Sequence, residues 1–141
     1  MATTTSSSQR FNNAKILAND LEQVKRAKRS WFHEAETDAI KFYRKSFDNQ
    51  GWEGRRWPAR QRQRAWPILV KTGALKNSIR VLGRGENWFM VGSDLDYAIV
   101  HNDGLGHQRK RQFMGDSDRL TKILLDKLDS LLKQIFTRNG N

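Results

Sequence analysis

The spacing of apolar residues changes from helical to alternating between positions 75 and 91, which limits the folds open to the chain. Leu75 and Ile79 are four apart, so in a helix they would share one face and point into a core. Thr72 is placed to cap this helix through its hydroxyl, and Gly73 lets the backbone enter the turn. We therefore predict a short helix that ends near Ile79.

An antiparallel hairpin is predicted directly after this helix. Apolar residues alternate on both sides of the glycine-containing segment 83–87, at Ile79, Val81, Phe89 and Val91. Such alternation is typical of two strands with one buried face. Residues 96–101 then favour one or two helical turns, with Asp94 or Asp96 at the N-cap.

A stretch without glycine or proline precedes these elements, from residue 14 to about residue 47. Its apolar residues recur at gaps typical of one helix face, at Leu17, Leu21, Val24, Trp31, Ala35 and Phe42. A helix of this length would be roughly 50 Å long, which is longer than the core of this domain needs. It either breaks in the middle or projects at one end and packs on a neighbouring subunit. Gly51 is suited to the C′ position after its end.

A second amphipathic helix is predicted near the C-terminus. Its apolar stripe consists of Leu120, Leu124, Leu128, Leu131 and Ile135. Residues 116–118 would cap its positive end, and its apolar face would cover one side of the sheet. Phe113, just before it, would end a third strand or anchor the loop in the core.

These patterns together predict an α+β fold. A long N-terminal helix and a C-terminal helix would pack on a small antiparallel β-sheet, with a short helix before the hairpin. We expect one domain over residues 14–138 and a frayed end at residues 139–141. Residues 1–13 are rich in Thr, Ser and Asn and lack the apolar core of a signal peptide, so we expect a disordered arm there.

The chain is strongly basic, with a formal net charge of +11. This charge favours polyanionic partners: nucleic acid, an acidic protein surface or a membrane face. There is no cysteine, so disulfides and sulfur-ligated metal sites are excluded. No apolar run approaches the ~20 residues that a bilayer span needs, and we expect no membrane partner.

Arginine and tryptophan are concentrated in residues 52–67, a segment that we call the strap. Arginine on phosphate with tryptophan on bases would suit single-stranded nucleic acid, but both residue types are also enriched at protein–protein hot spots. Two Trp-Pro steps favour an extended loop. We favour protein docking, with a surface loop whose tryptophans cover the first helix as the simpler alternative. The candidate docking residues are Trp52, Arg55, Arg56, Trp57, Arg60, Arg62, Arg64 and Trp66 in the strap, and Arg109, Lys110 and Arg111 in a later loop.

Two histidines and an aspartate fall within residues 101–107, which raises the question of a metal site. Gly104 and Gly106 make this loop pliable, and no second ligand cluster is visible, so His101 is better interpreted as a structural residue. The chain has no glycine-rich phosphate loop and no paired acid or histidine–acid motif. We therefore expect no metal, no cofactor and no enzymatic activity.

Three motifs resemble the virion-morphogenesis family of tailed bacteriophages, whose members complete the tail or join it to the head. They are L-x-x-T-G-x-L-x-x-S-I at residues 69–79, V-G-S-D-x-x-Y-A-x-x-H-x-x-G at residues 91–104 and R-x-F-M-G-D-S-D at residues 111–118. The motif residues with structural roles would be Thr72, Gly73, Leu75, Ser78, Ile79, Tyr97, His101, Gly104, Phe113 and Gly115.

The resemblance implies a structural protein of the phage neck that works through interface burial alone. Copies would form a homo-oligomeric ring between a connector on the capsid side and the tail tube or tail terminator, with a transient DNA contact as a further possibility. It also implies a location in the virion, and in the host cytoplasm during assembly. The alternative that the residues themselves leave open is a small basic nucleic-acid-binding module that uses the strap.

Overall fold

The structure, a computed structural model, describes residues 7–138, and its longest element is helix α1 (Ser7–Asn49). The 43 residues of α1 form one continuous helix of roughly 64 Å, so the alternative with a break in the middle is wrong. The helix begins at Ser7 rather than near residue 14, because no glycine or proline interrupts the preceding turns. Residues 1–6 of the expected arm and the expected frayed end at 139–141 lie outside the described residues.

The C-terminal end of α1 is fixed by Gln50 rather than by Gly51. Gln50 adopts a left-handed backbone with φ of 52°, and its side-chain amide donates to the carbonyl oxygens of Phe47 and Ile68 at 2.7 and 3.0 Å. Gly51, which we expected at this C′ position, instead opens the first strand. A Cβ at Gly51 would lie 2.4 Å from the carbonyl oxygen of Arg55, so the neighbouring backbone requires glycine there.

Two separate pairs of antiparallel strands follow. β1 (Gly51–Trp52) pairs with β2 (Arg55–Arg56) in a small ribbon. β3 (Arg80–Arg84) pairs with β4 (Phe89–Gly92), with Val81 opposite Val91 and an irregularity between Val81 and Gly83. The predicted hairpin is therefore confirmed, although its turn is shorter than residues 83–87 because Gly83 and Arg84 belong to β3.

Two short helices flank the hairpin, and neither is capped as expected. The N-cap of α2 (Ala74–Ser78) is Gly73, at a φ of 75°, while the hydroxyl of Thr72 accepts the N–H of Ala74 at 3.3 Å. The N-cap of α3 (Asp96–Asp103) is Leu95, without a side-chain cap. Neither expected residue is the cap: Asp94 lies one position before it, with its carboxylate accepting from Arg80 at 2.8 Å, and Asp96 is the first residue of the helix.

The last helix, α4 (Asp118–Arg138), packs along α1 rather than over the hairpin as we predicted. The indole N–H of Trp31 donates to the carbonyl oxygen of Leu124 at 2.7 Å and fixes the two helices side by side. The expected cap is present, since the hydroxyl of Ser117 accepts the N–H of Leu120 at 3.2 Å. The first turns of α1 extend beyond this helix pair, and Ile16, Leu17 and Leu21 are more than half exposed.

The core lies where the C-terminal half of α1 meets α2, α3 and the segment before α4. It consists of Phe47, Trp57, Leu75, Ile79, Ala98 and Phe113. Phe113 anchors its loop in this core and, within the described residues, belongs to no strand. The α+β class, the two long helices and the short helix before the hairpin are thus confirmed. In the described part of the chain, no helix combines the length and apolarity of a membrane span.

Candidate protein-docking surface

The strap folds into a tight ribbon and a tethered loop, not into the extended segment that we expected. Glu53 and Gly54 connect β1 to β2 with φ angles of 48° and 77°. Positive φ at both central residues is the geometry of a two-residue hairpin turn whose twist matches that of its strands. The ribbon therefore presents Arg55 and Arg56 from a defined backbone, with both side chains exposed.

Trp57 is a core residue, and its assignment to docking is corrected. Only 7% of it is exposed, and its ring meets that of Phe47 edge to face at 5.5 Å. Its indole N–H donates to the carbonyl oxygen of Gln112 at 2.7 Å. A partner protein could not reach this ring without opening the core.

The assignment of Arg111 to docking is also corrected, because it is only 8% exposed and its side chain is hydrogen-bonded to the strap. Its guanidinium donates from Nε and Nη2 to the carbonyl oxygen of Pro58, both at 3.1 Å. Burial lowers the pKa of Arg111, and the charges of Arg109 and Arg60 lower it further. The buried guanidinium is held in place because these carbonyl oxygens satisfy its donors.

Arg60 closes the other end of the strap loop. Its two terminal nitrogens donate to the carbonyl oxygens of Trp66 and Pro67, both at 2.7 Å. Because these bonds hold the two ends of the loop together, the main role of Arg60 is to stabilise the loop conformation. Its half-buried side chain leaves little for a partner to contact.

The remaining candidates line the surface. The exposed cations are Arg55, Arg56, Arg62, Arg64, Arg109 and Lys110. Trp66 is half-buried, with the guanidinium of Arg64 and the ammonium of Lys71 at 6.0 and 5.3 Å from its ring centroid. Trp52 is half-buried too, and its ring stacks on that of Tyr43 with centroids 6.0 Å apart. The structure therefore divides the predicted docking residues into residues that stabilise the strap from within and residues that form an exposed basic surface.

A groove of about 800 Å³ lies beside the ribbon, between the C-terminal half of α1 and the first turns of α4. Its apolar floor includes Phe42 and Trp52, whose rings meet edge to face with centroids 6.0 Å apart. Arg119 lies over the ring of Phe42, with its guanidinium carbon 5.9 Å from the centroid. We call this feature the basic groove, and its lining cations are Lys41, Lys45, Arg55, Arg56, Arg119 and Lys127.

The acids in the basic groove are already engaged by two of these cations. Lys127 donates to Asp38 at 2.6 Å, and this hydrogen bond raises the pKa of Lys127. Arg119 lies 4.0 Å from the carboxylate of Glu53. Among residues 7–138, the other lining cations have no acid within ion-pair distance, and all of them are exposed: Lys41, Lys45, Arg55 and Arg56. Their positive charge is therefore uncompensated.

The three sequence motifs meet around the core. The hydroxyls of Ser78 and Ser93 lie 2.6 Å apart and join the first motif to the second. The N–H of Arg111 donates to the carbonyl oxygen of His101 at 2.8 Å and joins the second motif to the third. Leu75, Ile79 and Phe113 are buried as expected.

The glycines of these motifs occupy positions that glycine suits. Gly104 ends α3 with a φ of 72°, and a Cβ there would lie 2.7 Å from the backbone nitrogen of Lys110. Gly115 has a φ of 159° and accepts a hydrogen bond from the hydroxyl of Tyr43 at 3.2 Å.

The imidazole of His101 packs inside the fold beside a surface tyrosine. Its ring contacts that of Tyr97 edge to face at 6.2 Å, and burial lowers the pKa of His101, with a further contribution from Arg111. Its Nδ1 is buried without a hydrogen-bond partner. Tyr97, by contrast, is substantially exposed. Within the part of the chain that the structure describes, no group of three or more potential ligands is arranged to hold a metal ion.

Two residues of structural importance were missed from the sequence. Asn102 occupies an unspecified position of the second motif, yet its side-chain oxygen accepts the N–H groups of Phe113 and Met114 at 2.9 and 3.0 Å. Glu36 is buried on α1 and takes a two-pronged ion pair from Arg84 at 2.6 and 2.8 Å. An acid on a helix face gives no sequence signal for a partner that comes from a strand 48 positions away.

Trp88 was also missed, and it is more exposed than any strap tryptophan, at 53%. It lies on the glycines of its own hairpin, since a Cβ at Gly85 would fall 2.1 Å from the indole nitrogen. A groove of about 630 Å³ runs from Trp88 to the basic residues of α1, Lys25, Lys28 and Arg29. The sequence signal that could have indicated this role of Trp88 is its position in a short hairpin close to two glycines, Gly83 and Gly85.

In comparisons with protein-family models, curated proteins and solved structures, the chain has no significant match.

Proposed function

We propose that the protein is a structural component of a phage neck that completes the tail or joins it to the head. It acts through protein–protein contacts and not through catalysis, as one subunit of a homo-oligomeric ring. Its neighbours are a connector protein on one side and the tail tube or tail terminator on the other.

The observation that carries this proposal is that the three motifs form one structural unit. Residues 69–79, 91–104 and 111–118 are separated along the chain, but they are linked by the Ser78–Ser93 contact and by the bond from Arg111 to His101. Motifs that meet in this way belong to one core and are not isolated in separate surface loops. This supports the resemblance on which the assignment rests.

The outer surface is consistent with a docking role. Arginine and aromatic side chains are enriched where proteins bind tightly, and the basic groove combines both types. Excess positive charge also speeds the encounter with acidic neighbours. The projecting start of α1 offers exposed Ile16 and Leu17 as a further contact for a neighbouring subunit.

A phage whose copy of this gene carries a stop codon provides the test. Negative-stain microscopy of the lysate should show DNA-filled heads separate from finished tails, and a plasmid copy of the gene should restore joined particles. Intact, infectious particles without the protein would refute the neck role.

A second candidate function is nucleic-acid binding, which the exposed Trp88 beside Lys25 and Arg29 favours. An exposed aromatic face next to cations suits base stacking and phosphate contact. In that case the affinity for oligothymidylate should fall steeply with salt, and Trp88→Ala should weaken it. Unchanged binding by this variant would remove the candidate site.

A further inference from the structure

The basic groove has two chemical parts with different requirements. Phe42 and Trp52 on the floor, with the partly exposed Ile123 of α4 beside them, need an apolar occupant to exclude water. The unpaired cations on the rim, which include Arg55 and Arg56, need negative charge. A suitable ligand therefore carries both an apolar group and several acids.

We propose that the basic groove binds an acidic segment of a partner protein, which places one large apolar side chain against Phe42 and Trp52. The carboxylates on either side of that anchor would face Lys41, Lys45 and the two arginines of the ribbon. The proposal rests on the neck role only for the identity of the partner, since the recognition chemistry follows from the groove itself.

The floor of the groove favours a protein segment over nucleic acid. Single-stranded nucleic acid stacks successive bases on open aromatic faces, but Phe42 and Trp52 meet edge to face, with an angle of 88° between their rings, and offer no such platform. A phosphate backbone would neutralise the rim cations and leave the apolar floor unfilled. A peptide with an apolar anchor satisfies both parts.

The groove is already formed in the free chain, which reduces the ordering cost of binding. The ribbon that carries Arg55 and Arg56 is fixed by its tight turn and by the buried Trp57 that follows it. Just before α4, the hydroxyl of Ser117 donates to the carboxylate of Glu53 and ties the ribbon to the start of that helix.

Fluorescence anisotropy with a defined probe tests the proposal. The probe is a fluorescein-labelled peptide in which glutamates and aspartates flank one phenylalanine, and its comparison peptide carries serine in place of phenylalanine. We expect the phenylalanine peptide to bind at least about tenfold more tightly, which corresponds to about 1.4 kcal/mol. Equal affinity of the two peptides, or no binding of either, would overturn the proposal.

Paired charge reversals locate the site. Arg55→Glu with Arg56→Glu should weaken binding of the phenylalanine peptide by at least about tenfold. The control, Arg26→Glu with Arg138→Glu, makes the same change in net charge at exposed residues that line another part of the surface. It should alter affinity by less than about threefold, and equal losses for the two pairs would mean that net charge alone attracts the peptide.

Fold integrity and the competing ligand need their own measurements. In the described structure Arg55 and Arg56 make no side-chain hydrogen bonds or ion pairs. The circular dichroism spectrum and the urea midpoint of the charge-reversal variant should therefore not change, and Arg55→Gln with Arg56→Gln provides a milder substitution that removes the charges without reversing them.

Oligothymidylate and duplex DNA serve as competitors of the peptide. Tighter binding of either nucleic acid than of the peptide, lost in the Arg55/Arg56 variant, would assign the groove to nucleic acid and overturn the proposal.

The two proposals fail separately. If the stop codon separates heads from tails but a phage with the Arg55/Arg56 reversal still assembles, the groove is not the docking site and the neck role stands. If particles assemble without the protein, the neck role fails, while a tight and specific peptide interaction still supports the chemistry of the groove.

Discussion

Trp57 donates its indole N–H to the backbone carbonyl oxygen of Gln112 at 2.7 Å, across 55 positions of sequence. The neighbouring residues form a second bond between the same two segments, in which Arg111 donates to the carbonyl oxygen of Pro58. Two adjacent residues of the strap are thus bound to two adjacent residues of the segment before α4. This double tie holds the residues that follow the ribbon against the segment that leads into α4.

Trp57→Phe should destabilise the protein by about 2–3 kcal/mol, because the partly buried carbonyl of Gln112 loses its donor and the smaller ring fills less of the core. Urea unfolding followed by circular dichroism measures this change. Trp66→Phe is the matched control, since no hydrogen bond from the indole of Trp66 is found within residues 7–138. A loss of less than about 1 kcal/mol is expected there, and an equal loss in both variants would show that the bond to Gln112 contributes nothing.

Asn102→Ala should destabilise the protein by about 2 kcal/mol or more, since the two backbone N–H groups of Phe113 and Met114 lose their acceptor. Asn102→Asp keeps an acceptor oxygen at the same place and should recover most of the lost stability. Thermal unfolding of the three proteins distinguishes the cases. If the aspartate variant is as unstable as the alanine variant, the side-chain oxygen is not what holds the segment.

Several elements could be predicted because their signals are local. The four-residue spacing of Leu75 and Ile79 correctly gave a helical turn with a buried face, and alternation correctly gave an antiparallel hairpin, although not its register. The absence of glycine and proline before residue 49 correctly gave a long helix. Each inference depends only on residues within a few turns of one another.

The missed features depend on contacts between distant segments. The apolar stripe of α4 predicted a buried face but not which surface it would meet, and α1 takes that place through Trp31. Arginine is normally exposed, so nothing local indicated that Arg111 would be buried against the strap. Glu53-Gly54 was missed as a hairpin turn, because the favoured first residues of such turns are asparagine, aspartate and glycine.

The ion pair of Glu36 with Arg84 predicts a definite pH dependence. The hydrogen bond from Arg84 lowers the pKa of Glu36 below its ordinary value of 4.5, despite an opposing effect of burial. Because the unfolded chain takes up this proton at higher pH than the folded chain does, the pair stabilises the fold above about pH 4.5 and stops doing so as the pH falls through the lowered pKa. Glu36→Gln should therefore lower the Tm at pH 7, and its difference from the unmodified protein should shrink below pH 4.5.

Glu22→Gln is the control for this measurement. Glu22 pairs with Lys25 at 3.2 Å, but both side chains are mostly exposed, and such pairs contribute little to stability. The Tm of this variant should follow that of the unmodified protein at every pH. A constant difference between Glu36→Gln and the unmodified protein from pH 7 to pH 3 would contradict the assigned titration.

Gly104→Ala and Gly106→Ala separate backbone strain from a steric clash. Both glycines have positive φ, 72° and 63°, so alanine at either position costs about 1–2 kcal/mol from the left-handed backbone. Only at Gly104 would the added Cβ also meet a neighbour, the backbone of Lys110 at 2.7 Å, whereas Gly106 has nothing within 4 Å. Urea unfolding should show Gly104→Ala less stable than Gly106→Ala by at least about 1 kcal/mol.

The same pair of variants should also differ in peptide binding. Because Lys110 adjoins Arg111, the clash at Gly104 would push Arg111 away from the strap. Gly104→Ala should then weaken peptide binding at the basic groove, while Gly106→Ala leaves it intact. Equal stability of the two variants would show that the approach of Lys110 to Gly104 does not constrain the loop.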